Sequence, residues 1–341
     1  MIKFSFLVAL YNGEQFLISL LNSLVSQDIK IDEYEIVCLD DCSPDHSSKI
    51  VMEYQKKYPN IRLYKNERNC RIATNINKLT QLAHGKYFWI LGQDDYIEPY
   101  CLNKLWNKLE ADFLDVLIFN YRRVDQMGKN VAEYYEVEST SKMRGVEWIK
   151  NQYTYRDRDY CNYILGYEWR AIFRTQHWLD NKIRCVEGLS WEDTVIMMKA
   201  IVYSHSVASI SDILYNYRIN EGSISYSNNH LKRGDYIFEF SFQVGDEVER
   251  FYNELLTLAP DLATQMYKQV KWRYNCFAFD LVRTSREQKQ QFYRYYKKYK
   301  LLVLQKKYWL NWKSKLLVSY IGYWVSVICE SIYKLKKRIL K

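Results

Sequence analysis

Between Phe4 and Phe119, short apolar runs alternate with stretches whose apolar residues recur every three or four positions. This alternation constrains the fold more than any other feature of the chain. A short apolar run between turn residues suits a buried strand, and a 3.6-residue period suits a helix with one covered face. The two in regular alternation build βαβ crossovers, hence an α/β fold with a mainly parallel sheet flanked by helices. Strands are predicted over Phe4–Leu10, Tyr34–Leu39, Ile61–Tyr64, Tyr87–Leu91 and Val116–Phe119. Helices are predicted over Glu14–Gln27, from Ser43 to about Tyr58, over Ile72–Ala83 and after Pro99. The second of these opens on Ser43-Pro44-Asp45, a cap, a proline at the first helical position and an acid in the first turn. The opening Met1–Leu10 run has no small-residue cleavage site after it and reads as a buried first strand, not a leader.

At 341 residues the chain is long for one domain. The section from Gln126 to Ile224 is mixed, and beyond Asn228 the pattern turns helical, over Tyr236–Tyr252, Leu262–Val282 and Glu287–Tyr308. A catalytic domain over 1–228 and a helical C-terminal region over 229–341 are therefore expected. Hydrophobic residues at 48% and charged residues at 26% exclude a disordered chain. The eight cysteines form no C-x-x-C pair and the five histidines no H-E-x-x-H, so a reduced compartment is expected and a dedicated zinc site is not.

In a parallel sheet covered on both faces, ligands bind beyond the carboxyl ends of the strands. The residues there are Tyr11-Asn12-Gly13, Asp40-Asp41-Cys42-Ser43 and Gly92-Gln93-Asp94-Asp95. No G-x-G-x-x-G or G-x-x-x-x-G-K-[ST] occurs, so the glycine-cradled dinucleotide and P-loop sites are excluded. What remains is carboxylates. Two adjacent carboxylates suit Mg²⁺ or Mn²⁺, which takes one or two of them together with substrate phosphate oxygens. Each pair has a plainer reading, a solvated strand end capping the next helix; two pairs on one sheet are the more specific signal.

These residues resemble the inverting glycosyltransferases of family 2, which have the GT-A (nucleotide-diphospho-sugar transferase) fold. The resemblance spans about residues 1–228 and rests on Leu7-Val8-Ala9-Leu10-Tyr11-Asn12, Leu39 to Asp45, Asn69 with Asn75, and Gly85-Lys86-Tyr87-Phe88. It continues through Gln93 to Pro99, Trp191-Glu192-Asp193, and Tyr217-Arg218 followed by Ser223-Ile224-Ser225. It implies transfer from a nucleotide sugar, most often a UDP-sugar, to a growing surface polysaccharide or lipid-linked glycan, by one displacement with inversion. By resemblance Tyr11 stacks on the nucleobase and Asp41 accepts a hydrogen bond from it. Asp94 is the principal ligand of Mn²⁺ or Mg²⁺ with Asp95 supporting or substituting, Arg218 or its neighbours sit near the diphosphate, and Asp193 is the catalytic base. Ser190 to Asp193 is also a capping box before an apolar helix at Val195–Val202, and the catalytic reading rests on its order after the other motifs. The sequence departs from the family at Gly92, where another Asp is common, and at Leu10, Arg71 and Thr74. Gly92 also sustains a rival reading, a non-catalytic, membrane-docked module that binds sugar nucleotides.

Nine basic residues and one acid lie between Leu304 and Lys341, a local charge of +8 out of the chain's +9. The body is thus close to neutral and no nucleic-acid partner is expected. Small or polar residues at 319, 322, 326 and 330 draw a narrow stripe along an otherwise apolar, aromatic helix flanked by lysines. An amphipathic helix at about 313–341 lying on an anionic membrane surface is expected, which would bring the protein to the cytoplasmic face of the cell membrane. A helix packed on protein and a spanning helix are the alternatives, the latter short of the roughly 20 apolar residues a span needs.

Overall fold

The computed structural model describes residues 1–155, 167–187, 193–220, 234–283, 287, 289–290, 293, 305–306, 308–317, 326 and 329. Residues 153–155, 193–194, 234–241, 265, 269 and 276–283 are described in the backbone only. The chain divides into two compact units, Met1–Asn220 and Glu221–Lys341.

Among the described residues of the first unit, nine strands share one sheet. They are β1 (Phe4–Leu10), β2 (Tyr34–Asp40), β3 (Ile61–Lys65), β4 (Tyr87–Leu91), β5 (Tyr96–Ile97), β6 (Val116–Val124), β7 (Asn130–Tyr134), β8 (Ala171–Arg174) and β9 (Val207–Arg218). The order is β3-β2-β1-β4-β8-β6-β9-β5, with β7 paired to the side of β6. The strands predicted from the alternation, β1 to β4, pair in parallel, with Val8 opposite Cys38 and Leu91. β6 also runs parallel to β9, so the sheet is mainly parallel as expected, with antiparallel strands added to it. Four-residue β8 inserts antiparallel to both β4 and β6, and β5 and β7 also pair antiparallel. β8 is short enough to carry no period, so only its long-range partners define it.

Helices cover the sheet because their apolar stripes must leave water. α1 (Glu14–Val25) buries Phe16, Leu17, Leu20, Leu21 and Leu24. α3 (Arg71–Leu82) and α4 (Leu102–Asp112) do the same with one face each. Large aromatics fill the centre: Trp89 meets Phe119 edge-on at 4.8 Å and Phe4 meets Trp106 at 6.1 Å. Each such fully buried side chain is worth about 1.5–3 kcal/mol over an exposed one.

α2 spans Ser47–Gln55 and does not begin at Ser43. The Ser43 N–H is drawn back to Asp40 Oδ1 at 2.9 Å, and Cys42 takes a left-handed φ of 61°. Residues 41–46 therefore form a turn; His46 takes the N-cap position, and Asp45 before it accepts the Ser47 N–H at 3.1 Å. The rest of the first unit is α5 (Gly145–Tyr155), α6 (Thr175–Asp180) and α7 (Asp193–Val202).

In the second unit α8 (Gly234–Leu258) and α9 (Pro260–Arg283) are joined through Ala259 alone, which folds them into an antiparallel hairpin. Phe242 accordingly faces Tyr274, and Tyr252 faces Tyr267. Gly245 allows this close approach, since a Cβ there would stand 2.7 Å from the Tyr274 ring. A short α10 (Trp312–Leu317) follows. Most of the helix expected at Glu287–Tyr308, and of the amphipathic helix expected at about 313–341, lies outside the described residues. Among the described residues no helix is long and apolar enough to cross a membrane.

Candidate functional site

The carboxyl ends of β1, β2 and β4 meet at one rim, and main-chain bonds hold them there. The Asp41 N–H donates to Leu10 O at 2.8 Å, so the end of β2 is fixed beside the end of β1. The loops beyond are laced together. Gly13 N–H donates to Ser47 Oγ at 3.1 Å, Glu14 N–H to Asp45 Oδ2 at 2.9 Å, and His46 N–H back to Glu14 Oε2 at 2.8 Å. Asn12 turns the chain through a left-handed φ of 53°. Tyr11, at the crest of this turn, keeps 47% of its surface exposed, so its ring is free to take a planar ligand.

Asp40 and Asp41 are both buried, and both are committed to the chain. Asp40 accepts Ser43 N–H and Ser48 Oγ–H and lies 3.6 Å from Lys65 Nζ; these hydrogen bonds and Lys65 hold its carboxyl below the usual range, against the cost of burial. Asp41 Oδ1 accepts Asn66 Nδ2 at 2.8 Å and Cys70 N–H at 2.7 Å, and Oδ2 accepts Arg71 N–H at 2.9 Å. Asp41 thus caps α3 and anchors the loop after β3. A nucleobase N–H would find only the remaining lone pair of Oδ2.

The paired carboxylates after β4 have opposite fates. Asp95 is 3% exposed, and its two oxygens are taken by Tyr215 Oη–H at 2.6 Å and Arg218 N–H at 2.7 Å. Burial, with the charge of Asp94 beside it, pushes the Asp95 carboxyl well up. Tyr215 Oη in turn accepts Gly92 N–H at 3.0 Å, which closes the loop on β9. A side chain at Gly92 would meet this seat, since a Cβ there would lie 2.5 Å from Asp95 Oδ2. Asp94 is only partly buried. Desolvation raises its carboxyl, while its own N–H, the Asn220 side chain and the charge of Arg218 draw it down.

Arg218 is the brace under this loop. Its Nε donates to Asp94 O at 2.7 Å, one Nη to Gln126 O at 2.7 Å and the other to Ser19 Oγ at 3.2 Å. Its guanidinium also lies 4.9 Å from the Phe16 ring centroid and 5.3 Å from that of Tyr96. Arg218, which the resemblance sets near the diphosphate, is buried here, and each of its three nitrogens donates to a protein oxygen. In the same way the structure seats Asp95 as an anchor for the loop, with no oxygen left facing outward.

Gln93 joins the two halves of the rim; the sequence places it at the strand end but assigns it no role. Its Oε1 accepts Tyr11 N–H at 2.8 Å and its Nε2 donates to Tyr11 O at 2.8 Å. One amide side chain thus completes both main-chain bonds of Tyr11, as a neighbouring strand would. Asn66 was passed over. It bonds Asp41 and Asn75 at 2.8 Å each, and Lys78 Nζ donates to its Oδ1 at 2.7 Å. The signal for Asn66 was present, because it directly follows β3 and the strand-end rule applies there as well.

Tyr11, Asp41 and Asp94 therefore come together on one rim. Asp193 opens α7, but only its backbone is described; Trp191-Glu192 and Ser223-Ile224-Ser225 lie outside the described residues. Among the described residues no group of three or more His, Cys, Asp or Glu is placed to hold a metal ion. The donor set still fits Mg²⁺ or Mn²⁺, since the partly exposed Asp94 offers a hard carboxylate and such ions complete their shells with water and substrate phosphate.

The sequence model of Glycosyl transferase family 2 matches residues 5–176, half of the chain. Staphylococcus aureus poly(ribitol-phosphate) beta-N-acetylglucosaminyltransferase TarS is 28% identical over 238 residues, 69% of this chain and 39% of that protein. The chain thus spans about two-fifths of that relative's length. The Bacillus subtilis putative glycosyltransferase EpsH is 29% identical over 271 residues, 74% of this chain and 73% of that protein. The crystal structure of S. aureus TarS 1-349 superposes with a TM-score of 0.62 at 22% identity, covering 98% of this chain and 92% of that one. The same fragment in complex with UDP-GlcNAc gives 0.61 at 21% identity.

Proposed function

The chain belongs to glycosyl transferase family 2 with the GT-A fold, and on that premise we propose that it transfers one sugar from a UDP-sugar to a growing surface polysaccharide or lipid-linked glycan. The observation that carries this reading is the shared rim, where the Gln93 side chain bonds the main chain of the exposed Tyr11 and Asp94 is the next residue in the chain. Relatives whose names specify transfer of N-acetylglucosamine or glucose to poly(ribitol-phosphate) support a sugar nucleotide as donor and a polyanionic glycan as one class of acceptor.

In this reading Tyr11 stacks on the uracil, and Asp41 orders the floor beneath it through Asn66 and the start of α3. Asp94 would hold Mn²⁺ or Mg²⁺, which when bound would supply positive charge against the departing diphosphate. Asp95, Tyr215 and Arg218 keep Asp94 in place. Asp193, at the start of α7, accepts the proton of the acceptor hydroxyl as that oxygen attacks the anomeric carbon. The new carbon–oxygen bond forms as the bond to the diphosphate breaks, so the anomeric configuration inverts. The basic C-terminal segment would hold the reaction at the cytoplasmic face of the cell membrane, where a lipid-linked acceptor is presented.

Gly92 favours a second reading, a sugar-nucleotide-binding module without turnover, because it leaves Asp94 as the only carboxylate of the loop facing outward. Transfer and hydrolysis of a panel of nucleotide sugars, with Mn²⁺ or Mg²⁺ and with chelator, separates the two. Chelator-sensitive turnover supports the transferase, and UDP binding without turnover of any donor supports the module.

A further inference from the structure

The C-terminal unit carries a patch of aromatic and basic residues that takes no part in the proposed reaction. Lys306 and the segment 308–317 are strapped to both α8 and α9 by polar bonds. Lys306 Nζ reaches Glu249 at 2.6 Å and Asp246 at 2.9 Å, and Trp309 Nε1 donates to Glu249 Oε1 at 2.7 Å. Asn275 Nδ2 donates to Trp309 O, and Asn275 Oδ1 accepts Asn311 N–H, both at 3.0 Å. Trp309 and Leu310 turn inward and are buried. Their neighbours turn outward: Tyr308 is 74% exposed and Trp312 70%, and Trp272 of α9 is 46% exposed. Asn275, which fixes the strap, lies within one helical turn of Trp272, so these aromatics belong to one neighbourhood.

Three exposed large aromatics on one unit are costly to leave in water. What surrounds them identifies their partner. Lys271, Lys313 and Lys315 are exposed beside them, with Lys313 Nζ 5.6 Å from the Trp312 ring centroid. No acidic residue occurs in 262–275 or in 305–317. The nearby acids Asp246 and Glu249 are neutralised by Lys306 on the inner side of the strap. Amphipathic rings with lysines between them and no acids suit the water–lipid boundary of an anionic membrane: the rings enter the headgroup layer and the ammonium groups meet phosphate. A protein partner would ask for a mixed-charge rim, which this patch lacks.

We propose that Trp272, Tyr308 and Trp312, with Lys271, Lys313 and Lys315, form an anionic-lipid docking surface. This surface shares Lys313 and Lys315 with the start of the amphipathic helix expected at about 313–341, adds Trp272, Tyr308 and Trp312 from outside it, and does not depend on the proposed chemistry. The +8 charge of residues 304–341 adds long-range attraction, and the aromatics supply the apolar insertion that charge alone cannot.

The test uses the full chain and vesicles of phosphatidylcholine with and without phosphatidylglycerol. Co-sedimentation only with the anionic vesicles, and a blue shift of tryptophan emission on binding, are expected at physiological salt. Trp272→Ala/Trp312→Ala should weaken that binding by about tenfold or more and reduce the shift, with the thermal midpoint unchanged. Trp272→Phe/Trp312→Phe, which keeps most of the apolar area, should retain most of the binding. Should the alanine variant fail to fold, Lys313→Glu/Lys315→Glu addresses the same surface and should also release the protein. Unchanged binding by the soluble variants would overturn the proposal, as would failure of the parent protein to bind anionic vesicles. So would vesicle-independent self-association that the tryptophan substitutions abolish, or binding of soluble polyphosphate in preference to vesicles.

Discussion

Replacing Gln93 with alanine tests whether the two halves of the rim act together. The substitution removes two hydrogen bonds of 2.8 Å, one to each main-chain group of Tyr11. Each such bond is worth about 0.5–1.5 kcal/mol net, and water can replace part of it at this exposed position. The loss is then about 1–2 kcal/mol of ordering at the β1 end, and it reaches the donor as a fall in affinity of about five- to 30-fold. Isothermal titration of UDP with Mn²⁺ present measures this directly, and the donor KM follows it while kcat changes less. Gln93→Glu should resemble the alanine variant, because its carboxylate accepts the Tyr11 N–H but repels the Tyr11 carbonyl. In a double-mutant cycle with Tyr11→Ala the losses should fall short of additive, since both act on one ring. UDP binding by Gln93→Ala equal to that of the parent protein would refute the coupling.

Asp193→Asn should lower kcat by about 10²–10⁴ while leaving UDP affinity unchanged, read by donor turnover beside titration. Tyr215→Phe leaves Asp95 Oδ2 and Gly92 N–H without their shared partner in the interior; urea unfolding should show a loss of about 1–3 kcal/mol. Buried His177 pairs Nε2 with Ala200 O at 2.8 Å, and burial lowers its basicity from the ordinary 6.5. The unfolded chain therefore takes up that proton first, and stability should fall as pH drops below about 6.5. Neighbouring Asp115, held low by Arg174, His177 and the His205 N–H, contributes above its ordinary 3.8 and loses that only at lower pH. The His177 fall between about pH 6.5 and 5 is opposed by Asp95 and Asp94, whose raised carboxyls take up protons first in the folded chain; chemical denaturation of His177→Gln across this range should lack the fall and keep the opposing gain.

How much of this was legible in sequence depends on the range of the interaction. β1 to β4 announce themselves because a buried run between helical periods is a local signal, and their bounds fall within a residue of expectation. The start of α2 was misplaced because a local cap signal at Ser43 lost to Asp40, a strand-end carboxylate that captured the same N–H. The antiparallel insertion of β8 had no local signal at all. In the site, Asp94 and Asp95 are chemically identical in sequence, and only burial against Tyr215 and Arg218 makes one an anchor and leaves the other outward. Arg218 suggested an anion, but its β9 position turns it under the loop, where carbonyls satisfy it. Gln93 opens a motif, yet its role carries no sequence signal, because it imitates a strand neighbour for Tyr11 from 82 residues away.

The central claim is that Asp94 gathers a divalent cation which then holds the diphosphate of the donor. Titration of UDP into the parent protein and into Asp94→Asn, each with Mn²⁺ and with chelator, tests it most directly. The account predicts that Mn²⁺ tightens UDP binding to the parent protein by tenfold or more and leaves the variant at the weak, chelated level, with uridine binding equal in both. Equal strengthening of UDP binding by Mn²⁺ in Asp94→Asn would contradict it.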